Sequence, residues 1–299
     1  TIGPEAGSAV RGFFASARAH NIPHERLTSD TVRRRWPMLA VPEGFIAGLE
    51  TTAGIVFPER ALEVMLAGAK AAGAHLRFDE PVLGWFAQGG DIRVETSAGR
   101  YTAKRLLISA GARTTALAGT CGRWLRPKRV PVCWFAAPDP SAYQLGQLPV
   151  NFWQVPGGAD APHGTENMEF YTLPATKATG HIKAAFHKPL ADADPEMTAP
   201  PVTAAEVMSL QAVLGRFLPG LDTAPARTET CFYTETPDGH FFLGPLPEQP
   251  EVFLAALGGH GFKFAPVLGE ILADLLQDRR PRFDLDLFSP SRFILQGGG

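Results

Sequence analysis

Residues 251–277 read EVFLAALGGHGFKFAPVLGEILADLLQ. Val252 to Leu257 is an unbroken apolar run of strand length, and it stops at Gly258-Gly259-His260-Gly261. Beyond Phe262 the apolar period changes: Val267, Leu268, Ile271, Leu272 and Leu275 fall three and four apart, on one face of a helix. Strand, glycine turn and helix in succession aim backbone N–H groups and a positive helix end at an anion or an electron-rich edge. The glycines allow backbone conformations and approaches that a Cβ blocks. His260 and Lys263 stand at the mouth of that turn. Taken alone, the stretch fits an ordinary strand-to-helix connection better than a ligand site. It is not a dinucleotide fingerprint, because Phe264 occupies the place of the third glycine after Gly259 and Gly261.

The totals narrow the class. A chain of 299 residues fits one large domain or two ordinary ones. With 45% hydrophobic and 19% charged residues it can bury a sizeable core. A formal charge of −2 gives no electrostatic case for nucleic acid or for an anionic membrane. No apolar run approaches the ~20 residues of a membrane span, and no signal peptide opens the chain. Cys121, Cys133 and Cys231 are too few and too scattered for a disulfide framework or a metal site, so a reducing cytoplasm is the expected location. The chain opens without Met.

Around the opening stretch the texture alternates. Ser8 to His20 reads as a short helix, followed by a basic triplet, Arg33-Arg34-Arg35, and a loop at Pro42 and Gly44. Leu62, Met65, Leu66 and Ala69 form a helical face that Gly73 ends, and Ala74 to Phe78 is expected as a strand. Val82 begins the next extended segment. Ile92 to Thr96 and Tyr101 to Ala110 are expected to pair as a hairpin, the latter ending at Gly111. Glycine turns at the carboxyl ends of strands are where open α/β sheets bind ligands. From Pro131 short extended runs follow one another between prolines, with no helix until Thr203 and Glu206 form a capping box ahead of Val207, Leu210, Leu214 and Phe217. The fold class is therefore α/β interrupted by an antiparallel sheet, with boundaries at 1–53, 54–129, 130–234 and 235–299.

Two further patterns bear on chemistry. In Gly180-His-Ile-Lys-Ala-Ala-Phe-His187, alternation puts His181, Lys183, Ala185 and His187 on one face. From pattern alone this fits the wet face of a two-sided sheet better than a cationic floor beneath a cofactor. Cys231 alternates with Tyr233 in Cys231-Phe-Tyr-Thr234, where a lone cysteine is more often a small buried hydrophobe than a reactive thiol.

Gly-His-Ile-Lys-x-x-x-His, Cys-x-Tyr-Thr-x-Thr-Pro-Asp-x-His-Phe and Gly-Gly-His-Gly-Phe-Lys-Phe occur in that order. Together they resemble the monomeric sarcosine oxidase and N-methyltryptophan oxidase group of the D-amino-acid-oxidase-like flavoenzymes, from about Gly3 to Arg292. The resemblance implies FAD as cofactor, with Cys231 matching a cysteine bonded to the flavin. Lys183 matches the lysine near the flavin N5 where oxygen is activated, and His187 and Tyr171 match residues lining the cavity. Tyr233 and His260 match further active-site residues, and Lys263 a lysine that binds the substrate carboxylate. Gly259 and Gly261 match the turn beside the flavin ring, Gly111 a second flavin-side turn, and Val82 a backbone contact on the adenine side. The implied substrates are a small secondary amine or N-methyl amino acid and O₂, with H₂O₂ as product. In that scheme 54–129 and 235–299 belong to the FAD-binding domain, 130–234 is the substrate domain, and 1–53 is its start and linker.

One difference from the family pattern stands out. No Gly-x-Gly-x-x-Gly motif follows a strand in 1–299, so the FAD-binding domain is expected to lack its N-terminal βαβ unit, which would precede Thr1. Arg113 also stands where the family commonly has tryptophan. The other class left open is a silent remnant or a subunit that docks on a separate FAD-binding chain.

Overall fold

The computed structural model describes residues 1–157, 167–177, 179–188, 191–194, 196, 200–221 and 223–293. In chain order the strands and helices are β1 (Ile2–Pro4), α1 (Ser8–Ala19), β2 (His24–Thr28), α2 (Ser29–Arg35), β3 (Phe45–Glu50) and α3 (Pro58–Ala71). Next come β4 (Val82–Gln88), β5 (Asp91–Thr96), β6 (Arg100–Ala103), β7 (Leu106–Ile108), α4 (Thr114–Leu117) and β8 (Arg126–Phe135). The remainder are β9 (Asn151–Pro156), β10 (Asn167–Leu173), β11 (Ile182–Phe186), β12 (Ala191–Asp192), α5 (Ala204–Phe217), β13 (Arg227–Glu235), β14 (Phe242–Leu246), β15 (Gln249–Ala256) and α6 (Ala265–Leu275). The fold is mixed α/β. It divides into two compact units, one of Thr1–Ile55, Arg129–Ala191 and Ala199–Cys231, the other of Val56–Lys128, Asp192–Thr198 and Phe232–Gly299.

The first unit is built on one large mixed sheet, in the order β12-β8-β11-β10-β9-β1-β3-β2, with β13 also paired to β8. From β8 to β9 every pairing is antiparallel, and β1 then runs parallel to β9. The alternation of β9, β10 and β11 gives that sheet two different faces. Trp153, Phe170, Ile182 and Ala184 point into a core that α5 closes with Leu210, Val213, Leu214 and Phe217. Trp153 and Phe170 stack at 5.7 Å, and Phe217 lies 5.3 Å from Trp153. The buried Asn151 is satisfied there by the Trp153 indole N–H at 2.7 Å and the Thr172 hydroxyl at 2.8 Å. Both halves of the Thr203–Glu206 capping box form at the start of α5. Glu206 also pairs with the buried Arg129. Burial works against the charged carboxyl, but hydrogen bonds from Arg129 and Thr203 outweigh it and hold the group below its ordinary range.

The second unit carries a small sheet in the order β14-β15-β7, β15 antiparallel to β14 and parallel to β7. Both faces are covered, as a parallel pair requires. Leu268, Ile271 and Leu272 of α6 pack on Leu243 and Ala255, while Val252, Leu254 and Ile108 face Ile92, Cys121 and Leu125. A second sheet, β4-β5-β6, is a plain antiparallel meander. No helix among the described residues is long and apolar enough to cross a membrane.

Two local expectations are corrected, and one strand was not foreseen. Residues 74–78 form no strand: Phe78 is 68% exposed, and a strand persists only where a neighbour completes its hydrogen bonds. The run from Tyr101 to Ala110 is two strands in two sheets. Lys104 pairs with Asp91 and keeps β6 on its hairpin, whereas Arg105 pairs with Asp278 and β7 joins β15. The segment after Gly44 is a strand, β3, which joins the large sheet through β1.

Candidate active site

In the first unit the residues of interest lie on the sheet face opposite the core. Partners directly across neighbouring strands share a face. Tyr171 pairs with Ala185 on one side and with Phe152 on the other, so these three form a row. Leu173, Lys183 and Trp134 form the next row, across β10, β11 and β8. His187 completes the face: its ring meets Phe152 edge-on at 4.9 Å, and its backbone N–H donates to the Glu169 carbonyl at 2.8 Å. The Lys183 Nζ lies 5.4 Å from the centre of the Trp134 indole.

Cys231 ends this unit's last segment, and its thiol is half-buried. Burial pushes the thiol up, Lys183 pulls it part of the way back, and Glu229 adds to the rise. Cys121 and Cys133 differ: both are buried, and burial pushes each up to about 11. Only the Cys231 thiol therefore combines partial access with a nearby ammonium, the setting in which a cysteine reacts.

In the second unit the parallel neighbours β7 and β15 end side by side, with Leu254 level with Ile108. Each runs into a glycine in the left-handed region, Gly111 at φ 57° and Gly258 at φ 57°. A Cβ at Gly111 would meet nothing within 4 Å, so the turn presents open backbone. Gly259 is tight instead: a Cβ there would sit 2.4 Å from the Tyr233 ring, so only glycine lets the turn lie on that ring. Tyr233 and His260 approach to 5.8 Å between ring centres. Gly261 and Lys263 lie in a 3₁₀ turn, Gly261–Phe264, that precedes α6 and its early proline. Lys263 and Arg60 bring two cations to a cavity of about 420 Å³ otherwise lined by Val56, Phe57, Met65 and Phe262 among others.

The residues expected at a site thus fall into two groups. Tyr171, Lys183, His187 and Cys231 belong to the first unit, and Gly111, Tyr233, Gly259, His260, Gly261 and Lys263 to the second. Val82 is also in the second unit but opens the separate meander sheet, 46% exposed. Sequence reading missed Phe152 and Trp134. Alternation in Asn151-Phe-Trp-Gln-Val155 does put Phe152 opposite Trp153, but which strand lies beside it is a long-range fact.

The family model for FAD dependent oxidoreductases (DAO) matches residues 3–275. A monomeric sarcosine oxidase of Streptomyces avermitilis is 32% identical over 295 residues, covering 97% of this chain and 74% of that protein. An N-methyl-L-tryptophan oxidase of Salmonella arizonae is 30% identical over 295 residues, with 98% and 75% covered. Among solved structures, the amino acid oxidase NikD of nikkomycin biosynthesis superposes with a TM-score of 0.77 at 22% identity, over 94% of this chain and 72% of that one, which shows a shared fold. The chain belongs to the FAD-dependent oxidoreductase (DAO) family, among the sarcosine oxidases and N-methyltryptophan oxidases.

Proposed function

We propose that this protein oxidises the C–N bond of a secondary amine or N-methyl amino acid, with O₂ as the final acceptor. The amine loses two electrons and two protons to give an imine, which water hydrolyses, and O₂ takes up both as H₂O₂. FAD, when bound, supplies the two-electron relay between amine and O₂. The residues fit such a group: Gly111 offers open backbone beside a strand end, and the first unit holds a partly accessible thiol under the influence of an ammonium. Cys231 is the residue we assign to covalent attachment. A cytoplasmic location agrees with three free cysteines.

The observation that carries the reading is the placement of Lys183, whose ammonium lies over the Trp134 indole on the sheet face that also carries Tyr171 and His187. A fixed ammonium stabilises the negative charge that develops as O₂ accepts its first electron, without reorganising at that moment. Within the first unit we assign Tyr171 and His187 to orienting the amine; within the second, the family resemblance supports reaction roles for Tyr233 and His260 and a carboxylate-binding role for Lys263. In full-length protein, Lys183→Met is expected to slow reoxidation by O₂ about 10³-fold, some 4 kcal/mol of lost charge stabilisation. Anaerobic reduction by sarcosine should suffer much less. Equal losses in the two half-reactions, followed by stopped-flow absorbance, would overturn the role.

A further inference from the structure

We propose that Trp134 is a positioning residue for Lys183, and that Arg227 holds Trp134 in place. The inference rests on the oxidase reading above, because it concerns where the Lys183 ammonium is held.

Lys183 and Trp134 are direct cross-strand partners on β11 and β8, so the backbone register alone brings their side chains together. The Lys183 Nζ then lies over the indole, 5.4 Å from the ring centre. The opposite neighbour of Trp134 is β13: the Ala226 backbone N–H donates to the Trp134 carbonyl at 2.8 Å. The next residue, Arg227, places its guanidinium carbon 4.7 Å from the centre of the same indole. One ring therefore takes a cation from each flanking strand. Glu229, two residues along β13, pairs with Arg227 and offsets part of the repulsion between the two cations.

The arrangement solves a physical problem for a residue of this type. Lysine ends a flexible four-carbon stem with three rotatable donors, and a free ammonium on a wet sheet face samples many positions. No ion pair to Lys183 is found among the described residues, and the ring quadrupole attracts the ammonium without neutralising it. A carboxylate in the same place would fix the side chain but cancel the charge that the oxygen step needs. Trp134 thus confines Lys183 and leaves its charge intact.

The test uses full-length protein carrying Trp134→Leu, Trp134→Phe, Arg227→Gln and Lys183→Met. The first readout needs no flavin. Lysines are reductively dimethylated with ¹³C-formaldehyde, and Lys183→Met assigns the resonance of residue 183. Ring current should shift that resonance upfield in wild type; the shift should vanish in Trp134→Leu, persist in Trp134→Phe and shrink in Arg227→Gln. The second readout is the O₂ half-reaction, where Trp134→Leu is expected to slow reoxidation about tenfold and Trp134→Phe less than about threefold. Amine reduction should change little. A resonance unaffected by Trp134→Leu, or unaltered reoxidation despite its displacement, would overturn the inference while leaving the Lys183 reading intact. If Lys183→Met itself leaves reoxidation unaltered, it is the oxidase role of Lys183 that falls.

Discussion

At the scale of single residues, the three cysteines make a controlled comparison. Covalent attachment needs a thiolate, and burial opposes it at all three positions; Arg123 and Arg292 pull the Cys121 thiol back as Lys183 does Cys231, but only Cys231 combines such a counterweight with partial access. Cys231 should therefore be the residue alkylated by iodoacetamide in folded protein, with a rate rising about tenfold per pH unit from 7 to 8 because its thiol stays mostly protonated there. Lys183→Met should slow that labelling, since the remaining influences raise the thiol; peptide mass mapping that shows an unchanged rate would contradict the coupling. In holoenzyme, Cys231→Ala should let flavin escape on acid precipitation, whereas flavin retained in the pellet would place the attachment elsewhere. Lys263 admits an equally direct test. An ammonium meeting a carboxylate contributes roughly 1.5–3 kcal/mol, so Lys263→Ala should weaken an N-methyl amino acid by about 10- to 100-fold. A competitive amine without a carboxylate should bind as before, and uniform weakening of both ligands, titrated by flavin absorbance, would reject the assignment.

At the scale of elements, what could be read in advance was what is local. The α5 helix was legible because its cap, its stripe and its stop all lie within one short stretch, and Thr203 and Glu206 make the expected reciprocal bonds. The long opening stretch was legible for the same reason, save that Pro266 leaves its first turn 3₁₀. Strand β3 was not, since Phe45–Glu50 is short and takes its order from β1 and β2, far away or in another element. The helical face of α3 was read correctly from its spacing, yet Leu62, Met65 and Leu66 remain exposed at 46%, 36% and 38%: periodicity shows a face, not what covers it. Among the candidate residues, alternation put Lys183 and His187 on one face, but the neighbours, Phe152 beside Tyr171 and His187 and Trp134 beside Lys183, depended on strand pairing. The capping box yields a graded prediction. Thr203→Ala should cost about 1 kcal/mol, the usual loss of a cap. Glu206→Ala should cost about 3 kcal/mol, because it also strands the buried Arg129. Urea midpoints that rank the two in the opposite order would show the ion pair to be dispensable.

At the scale of the whole molecule, each compact unit keeps a depressed carboxyl paired with an arginine in a structural role, and these two should contribute to its behaviour in acid beside other lowered carboxyls such as Asp139 and Glu248. In the first unit this is Glu206 against Arg129. In the second it is Asp238, held far below the carboxylate range by Arg292 above all, with burial opposing and the His240 N–H assisting. Arg292 donates to Asp238 at 2.7 and 2.9 Å, and its guanidinium also lies over Phe242 and Phe293, 4.3 and 4.5 Å from their centres. The aspartate of the Thr236-Pro-Asp-Gly-His240 sequence is thus accounted for by architecture. A carboxyl whose folded pKa lies below its unfolded one binds fewer protons when folded, so its contribution is complete above the unfolded value. It is lost as pH falls toward the folded value. Stability against urea should accordingly stay level from pH 7 to about 5 and fall below about 4.5. Asp238→Asn and Glu206→Gln should each start from a lower midpoint at pH 7 and lose less of it by pH 3.5, since each has already given up the charge that protonation removes. Arg292→Ala should lower the unfolding free energy by about 2 kcal/mol at pH 7 and flatten the acid limb in the same way as Asp238→Asn. A midpoint that holds steady to pH 3.5 in wild type, or acid limbs as steep in these variants as in wild type, would show that other groups set the acid limit.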